Sequence, residues 1–287
     1  MLNKISNMLF EYDYINSKDK IYFSSRLIDN WSMLVFVPPK KFYHIKINTH
    51  KDLKLECKNL KKIQGKYSEY IPQFIDYIEY EGYEFLICQA YHHEAFSKQQ
   101  IEASTELQDK LKYYFISSIA DWSLHRKHDE TTLQIDSSFG LENEIEMHLA
   151  KLYSQAMRWG HQPQHGDFVL SNIAITRGHL IVFDWEDYAR VNIVGFDLAI
   201  FLYSIHQFNS VTLLEELATE KLDRIIMSYL IALNITKQDF MQLLPLHLYL
   251  FLALKQKYAY SKESVLQAKE SLLASYTMLT AIAKANT

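Results

Sequence analysis

The stretch His165-Gly166-Asp167-Phe168-Val169-Leu170-Ser171-Asn172, followed by Leu180-Ile181-Val182-Phe183 and then Asp184-Trp185-Glu186, decides the reading of the whole chain. Short apolar runs, Ile173 to Ile175 and Leu180 to Phe183, flank Arg177-Gly178, and that turn chemistry predicts a small hairpin. A polar loop precedes the hairpin and an acidic residue ends it. Singly, a His-Gly-Asp run is a common polar turn, and an Asp at a strand end commonly caps a following helix. Their joint occurrence at this spacing is much harder to ascribe to chance.

Working outward, the segment from Ile21 to Tyr91 reads as strands: Ile21 to Phe23, Trp31 to Val37, Phe42 to Ile47, Phe74 to Tyr80 and Tyr83 to Ala90. Turns are expected at Pro38-Pro39 and Glu81-Gly82. This is a small, mostly antiparallel sheet, interrupted by one helix over His50 to Gln64, where Leu53, Leu60 and Ile63 recur at helical spacing. After about Ser97 the period becomes 3.6. Helices are expected at Thr105 to His128, Leu141 to Trp159, Phe196 to Gln207 and Val211 to Leu233, with two more from Thr236 onward. The expected organisation is an α+β chain with a first lobe over residues 1–91, a hinge over 92–97 and a mainly helical second lobe over 98–287.

Composition excludes several classes. The chain has 287 residues, 48% of them hydrophobic, which is ample for a buried core. Its 30 basic and 34 acidic residues are interspersed and leave a net charge of −4, so no basic field announces a nucleic-acid partner. Cys57 and Cys88 are read as reduced thiols, which fits a cytoplasmic setting. Charges scattered through residues 1–20 are unlike a signal peptide. Leu243 to Leu254 is too short for a bilayer and contains Pro245 and His247, so a buried helix is expected and no membrane span. His92-His93 and the pair His125 and His128 lack the cysteines or carboxylates that would complete a zinc site. The aromatics, Trp159 and Trp185 among them, are expected in the core.

The opening stretch resembles the catalytic core of the aminoglycoside phosphotransferase and choline kinase family: His-Gly-Asp, four residues, Asn, then a strand ending in Asp. The resemblance implies a protein-kinase-like two-lobed fold and phosphoryl transfer from ATP, with Mg²⁺, to a hydroxyl of a small molecule such as a sugar, amino sugar or amino alcohol. It implies that Asp167 orients the acceptor hydroxyl and takes its proton, and that Asn172 and Asp184 supply oxygen ligands to Mg²⁺. His165 is then a support for the loop. Gly195-Phe196-Asp197-Leu198-Ala199 resembles a further family segment whose Asp braces that loop, which gives Asp197 a supporting role or that of a plain helix cap. Glu186 would face the metal or solvent.

The same resemblance extends to the first lobe. Lys46, a cation within an apolar strand, and Glu56, ten residues later in the helical segment, would form a kinase-type ion pair that orients the α- and β-phosphates. The alternatives are a snorkelling edge-strand lysine and a solvated helix charge. Gln89, Ala90 and Tyr91 are the expected contact for the adenine edge. The turn Ser24 to Asn30 contains no glycine, a departure from the phosphate cradle of kinases that leaves Ser24 and Ser25 as candidate contacts. That departure keeps open a nucleotide- or partner-binding module without turnover. A protein kinase is disfavoured by the lack of an Ala-Pro-Glu segment after Asp184. Glu216, Glu220 and Asp223 are expected on one face of the helix from Val211 to Leu233, as a solvated acidic face or, less favoured, a site for a cationic acceptor.

Overall fold

The computed structural model describes residues 1–24, 32–39, 41–47, 53–91, 94–121, 140–256, 266 and 269–277. The chain forms two compact units, Met1–Glu94 with Ile175–Glu186, and Ala95–Ala174 with Asp187–Thr287.

In the first unit, helix α1 (Leu2–Glu11) precedes strands β1 (Tyr22–Ser24), β2 (Ser32–Val37) and β3 (Lys41–Ile47), helix α2 (Leu53–Ile63), and strands β4 (Phe74–Tyr80) and β5 (Tyr83–Gln89). The five strands make an antiparallel sheet in the order β1-β2-β3-β5-β4. Period-2 alternation on β3 buries Tyr43, Ile45 and Ile47, so the residues between them, including Lys46, point to the other face. The buried set packs with Val35, Val37, Phe85 and Ile87 against Ile5, Met8 and Leu9 of α1. Sequence reading assigned no helix to that N-terminal stretch, although Ile5, Met8 and Leu9 have i, i+3, i+4 spacing.

The expected hairpin is present as β6 (Ile173–Thr176) and β7 (His179–Val182). Arg177 and Gly178 both have positive φ, 47° and 82°. That is the requirement of a type I′ turn, whose twist matches the flanking strands. Backbone bonds tie the hairpin into the first unit: Glu94 and Ile175 exchange N–H groups at 2.9 and 3.1 Å, and Val182 N–H donates to Tyr70 O at 2.7 Å.

The second unit is helical: α3 (Lys98–Ala103), α4 (Thr105–Ser118), α5 (Asn143–Met157), α6 (Phe196–Ile205), α7 (Ser210–Leu217), α8 (Asp223–Leu233), α9 (Lys237–Gln242) and α10 (Leu244–Gln256). A reciprocal cap opens α3, where Ser97 Oγ accepts from Gln100 N and Gln100 Oε1 accepts from Ser97 N. Helix α6 is buried almost all round and forms the centre of the unit. The apolar α10 is buried through Leu244, Leu246, Leu248 and Tyr249, as its composition predicted. Among the described residues, no helix is long and apolar enough to cross a membrane.

One expectation is corrected. The single helix over Val211 to Leu233 is broken into α7 and α8 by a turn at residues 218–222. Thr219 turns back on α7, donating both its N–H, at 2.7 Å, and its hydroxyl, at 2.8 Å, to Glu216 O. Leu222, buried at the break, then starts the new direction.

Candidate active site

Helix α2 turns one stripe inward: Leu53, Glu56, Cys57, Asn59, Leu60 and Ile63 are buried. Glu56 is therefore an acid in an apolar stripe, a placement that costs free energy unless the charge is met. Lys46 meets it, donating to Glu56 Oε1 at 2.7 Å and Oε2 at 2.9 Å. The same ammonium also donates to Asp184 Oδ1. Burial by itself would lower the Lys46 pKa, but the Asp184 and Glu56 carboxylates outweigh that and raise it, so the group is charged throughout the neutral range. Lys46 is thus directed inward, which a snorkelling lysine is not.

Asp184 has a φ of 63°, in the left-handed region, and the chain after it is pinned. Asn59, three residues beyond Glu56, donates to Trp185 O at 2.9 Å and to Glu186 O at 3.2 Å. Trp185 is buried against Tyr67, and its indole N–H donates to Val182 O at 2.8 Å. Glu186 is buried, so it does not face solvent. Two residues of one helix face therefore set both the cation and the strand end that carries Asp184. Asn59 was missed in the sequence, where its signal is a polar residue inside the apolar stripe.

Gln89, Ala90 and Tyr91 line a cavity of about 670 Å³ together with Phe42, Thr176 and Arg177 among others. The backbone N–H groups of Gln89 and Ala90 are both taken by neighbours, Gln73 O at 2.8 Å and Phe42 O at 2.9 Å. The Gln89 side chain donates to Phe42 O and Ala90 O. Ser24 ends β1 opposite Leu34 and is exposed. Ser25, with the rest of that turn through Asn30, lies outside the described residues, as do His92, His93, His125 and His128.

In the second unit the loop from His165 to Asn172 is held on three sides. Asp197, in the first turn of α6, accepts the N–H groups of His165 at 2.6 Å and Gly166 at 3.0 Å. Burial pushes the Asp197 carboxyl up to about 7, against the lowering effect of those two donors. His165 is buried, and its Nδ1 accepts the N–H of Asp167 at 3.1 Å. Gly166 has a φ of +90°, and a Cβ there would stand 2.7 Å from both Cβ and O of Asp187, so only glycine fits. Phe168 is fully buried, stacked 4.5 Å from Tyr114 and edge-on to Phe115.

Asp167 itself is buried. Its Oδ2 accepts from Asn172 Nδ2 at 3.0 Å and forms an ion pair with Lys255 Nζ, of α10, at 2.8 Å. Among the described residues no donor reaches Oδ1. Asn172 spends its Nδ2 on Asp167 O and Oδ2, which leaves the amide oxygen as its remaining side-chain polar atom. Lys255 was absent from the sequence reading, where its signal is the first charge after the apolar run from Leu243 to Leu254.

A carboxylate oxygen such as those of Asp184 and an amide oxygen such as that of Asn172 are each hard donors of the kind Mg²⁺ accepts. The acidic trio at the α7–α8 break is not one face. Glu216 pairs with Lys98, Asp223 with Lys237 at 2.6 Å, and Glu220 lies in the turn.

The model of the phosphotransferase enzyme family (APH) matches residues 104–225. The fold is shared with the choline kinase LicA from Streptococcus pneumoniae, at a TM-score of 0.67 and 11% identity over 96% of this chain and 98% of that one. An ethanolamine kinase from Plasmodium vivax superposes with a TM-score of 0.60 and 14% identity, over 93% of this chain and 85% of its own. The GDP complex of wild-type aminoglycoside 2'-phosphotransferase-IIIa gives 0.59 and 11%, over 95% and 98%. No match was found among the curated proteins. The resemblance to this family is borne out, and with it the protein-kinase-like α+β fold.

Proposed function

We propose that the chain is an ATP-dependent O-phosphotransferase that moves the γ-phosphoryl group to a hydroxyl of a small molecule. The observation that carries this is the Lys46 ammonium, held between Glu56 and Asp184 in a part-buried position. A lysine fixed by two acids and always charged is suited to orient phosphates, since phosphoryl transfer depends on positioning and charge neutralisation more than on covalent chemistry. Removing Lys46 would take the ammonium from both acids and leave the buried Glu56 carboxylate without that countercharge, at a cost of about 3–5 kcal/mol.

Asp167 is the proposed acceptor-side residue. Its open Oδ1 takes the hydroxyl proton as the new P–O bond forms and the bond to the leaving diphosphate breaks. Asp184 and the amide oxygen of Asn172 are the proposed Mg²⁺ ligands, and the ion would neutralise charge on the phosphates. Gln89 to Tyr91 remain the proposed side of the adenine. His165 and Asp197 hold the loop.

For the acceptor, a neutral or weakly charged polyol such as a sugar leads. Glu216 and Asp223 are already matched by Lys98 and Lys237, which argues against a polycation site there. The test is incubation with γ-labelled ATP or GTP, Mg²⁺ and a panel of sugars, amino sugars, aminoglycosides and amino alcohols, with products identified by mass. Label in a small-molecule hydroxyl is expected. Label only in protein, or nucleotide binding with no transfer to any acceptor, would replace this reading with a protein kinase or a binding module.

A further inference from the structure

We infer that Lys255 of α10 is a positioning residue for the transfer step, fixing the carboxylate of Asp167 so that Oδ1 is the oxygen presented to the acceptor. This rests on the phosphotransferase reading above. The loop from Asp167 to Asn172 contains no cation of its own, since Phe168, Val169, Leu170 and Ser171 separate the two. The positive charge arrives instead from a helix far along the chain. Lys255 Nζ lies 2.8 Å from Asp167 Oδ2 and 3.4 Å from Asp187 Oδ2, with its side chain 6% exposed.

A lysine this buried is rare unless paired, and here it is paired with two acids at once. Asp187 is wholly buried, and Arg190 Nε lies 3.4 Å from its other oxygen. Asp187 thereby braces the ammonium on one side while Asp167 receives it on the other. On Asp167 the Asn172 amide and the Lys255 ammonium converge on the same oxygen. A hydrogen bond and an ion pair on Oδ2 restrict rotation of the carboxylate, which a single contact would leave freer. Oδ1 then has one direction, and no donor among the described residues competes for it. During transfer the hydroxyl proton passes to Oδ1, the acceptor oxygen bonds to phosphorus, and the diphosphate leaves with the electron pair of the broken P–O bond. Lys255 touches no reacting atom in this scheme and acts through Asp167.

A merely structural lysine would balance the charge of two buried acids and nothing more, and the test separates these roles. Four proteins are compared for kcat, KM of both substrates and Tm: wild type, Lys255→Met, Lys255→Arg, and the double variant Lys255→Met with Asp187→Asn, which restores the local charge sum. Misplacing a reacting group costs about 10²-fold, so Lys255→Met should lose roughly that in kcat with both KM values within about threefold. Lys255→Arg should recover much of the rate, and the double variant should regain Tm while staying slow. Recovery of both Tm and kcat in the double variant, or a Lys255→Met enzyme with most of its kcat, would overturn the assignment of Lys255 and leave the phosphotransferase reading standing. A wild-type chain that transfers phosphate to no hydroxyl would overturn that reading, and Lys255 with it.

Discussion

Asp197 Oδ2 accepts the backbone N–H of His165 at 2.6 Å, and this bond fixes the start of the loop that carries Asp167. The other oxygen holds Gly166, and Asp197 N–H in turn donates to Gln164 Oε1 at 2.9 Å. Asp197→Ala removes the acceptor from two buried amides, each worth about 1–3 kcal/mol when left unpaired. Urea unfolding should show a loss of that order, accompanied by loss of transfer. A stability within about 0.5 kcal/mol of wild type, the usual effect of an inert surface change, would reduce Asp197 to an ordinary cap.

Lys46 and Glu56 should behave as one unit. In a double-mutant cycle with Lys46→Met and Glu56→Gln, either change should remove most of the transfer activity, and the pair together should be little worse than either. Coupling of about 0.5–3 kcal/mol is expected for residues in contact. Small, additive losses in nucleotide affinity and rate would return both side chains to a structural role.

The buried His247 predicts a pH dependence of stability. It is 0% exposed, its Nε2 faces Val194 O at 3.2 Å, and burial lowers its pKa from 6.5 to about 3. A folded-state pKa below the unfolded one means that the unfolded chain binds the proton first. The contribution of His247 is therefore complete above about pH 6.5 and is lost as pH falls toward 3, at up to about 1.4 kcal/mol per pH unit. His247→Leu should flatten the stability curve across that window. An unchanged slope in equilibrium unfolding between pH 6.5 and 4 would contradict the assignment.

How much of this was legible in the sequence depended on distance along the chain. The loop from His165 to Asn172, the hairpin and Asp184 lie within about twenty residues, and their spacing is set by local geometry, so they could be read directly. Lys46 and Glu56 were legible through the family resemblance, which a strand and a helix with little between them could carry. Lys255 was not, because its contact with Asp167 arises from the packing of α10, and no local pattern encodes a partner that far away. The α7–α8 break was missed for a different reason. Residues 218–222 contain no glycine or proline, and the turn is made by Thr219 bonding back to Glu216 O, a competition with the helix that a periodicity count does not register. Helix α1 carried a readable period that its interspersed charges obscured.

The most direct test of the account is single-turnover transfer by Asp167→Asn, measured beside nucleotide affinity with an acceptor that wild type uses. The amide keeps the size of the carboxylate but cannot take the hydroxyl proton at Oδ1. General-base contributions run to about 10²–10⁴-fold, so the transfer rate should fall within or beyond that range while the Kd for Mg²⁺-ATP stays within about threefold of wild type. An Asp167→Asn protein that retains most of the transfer rate would contradict the account.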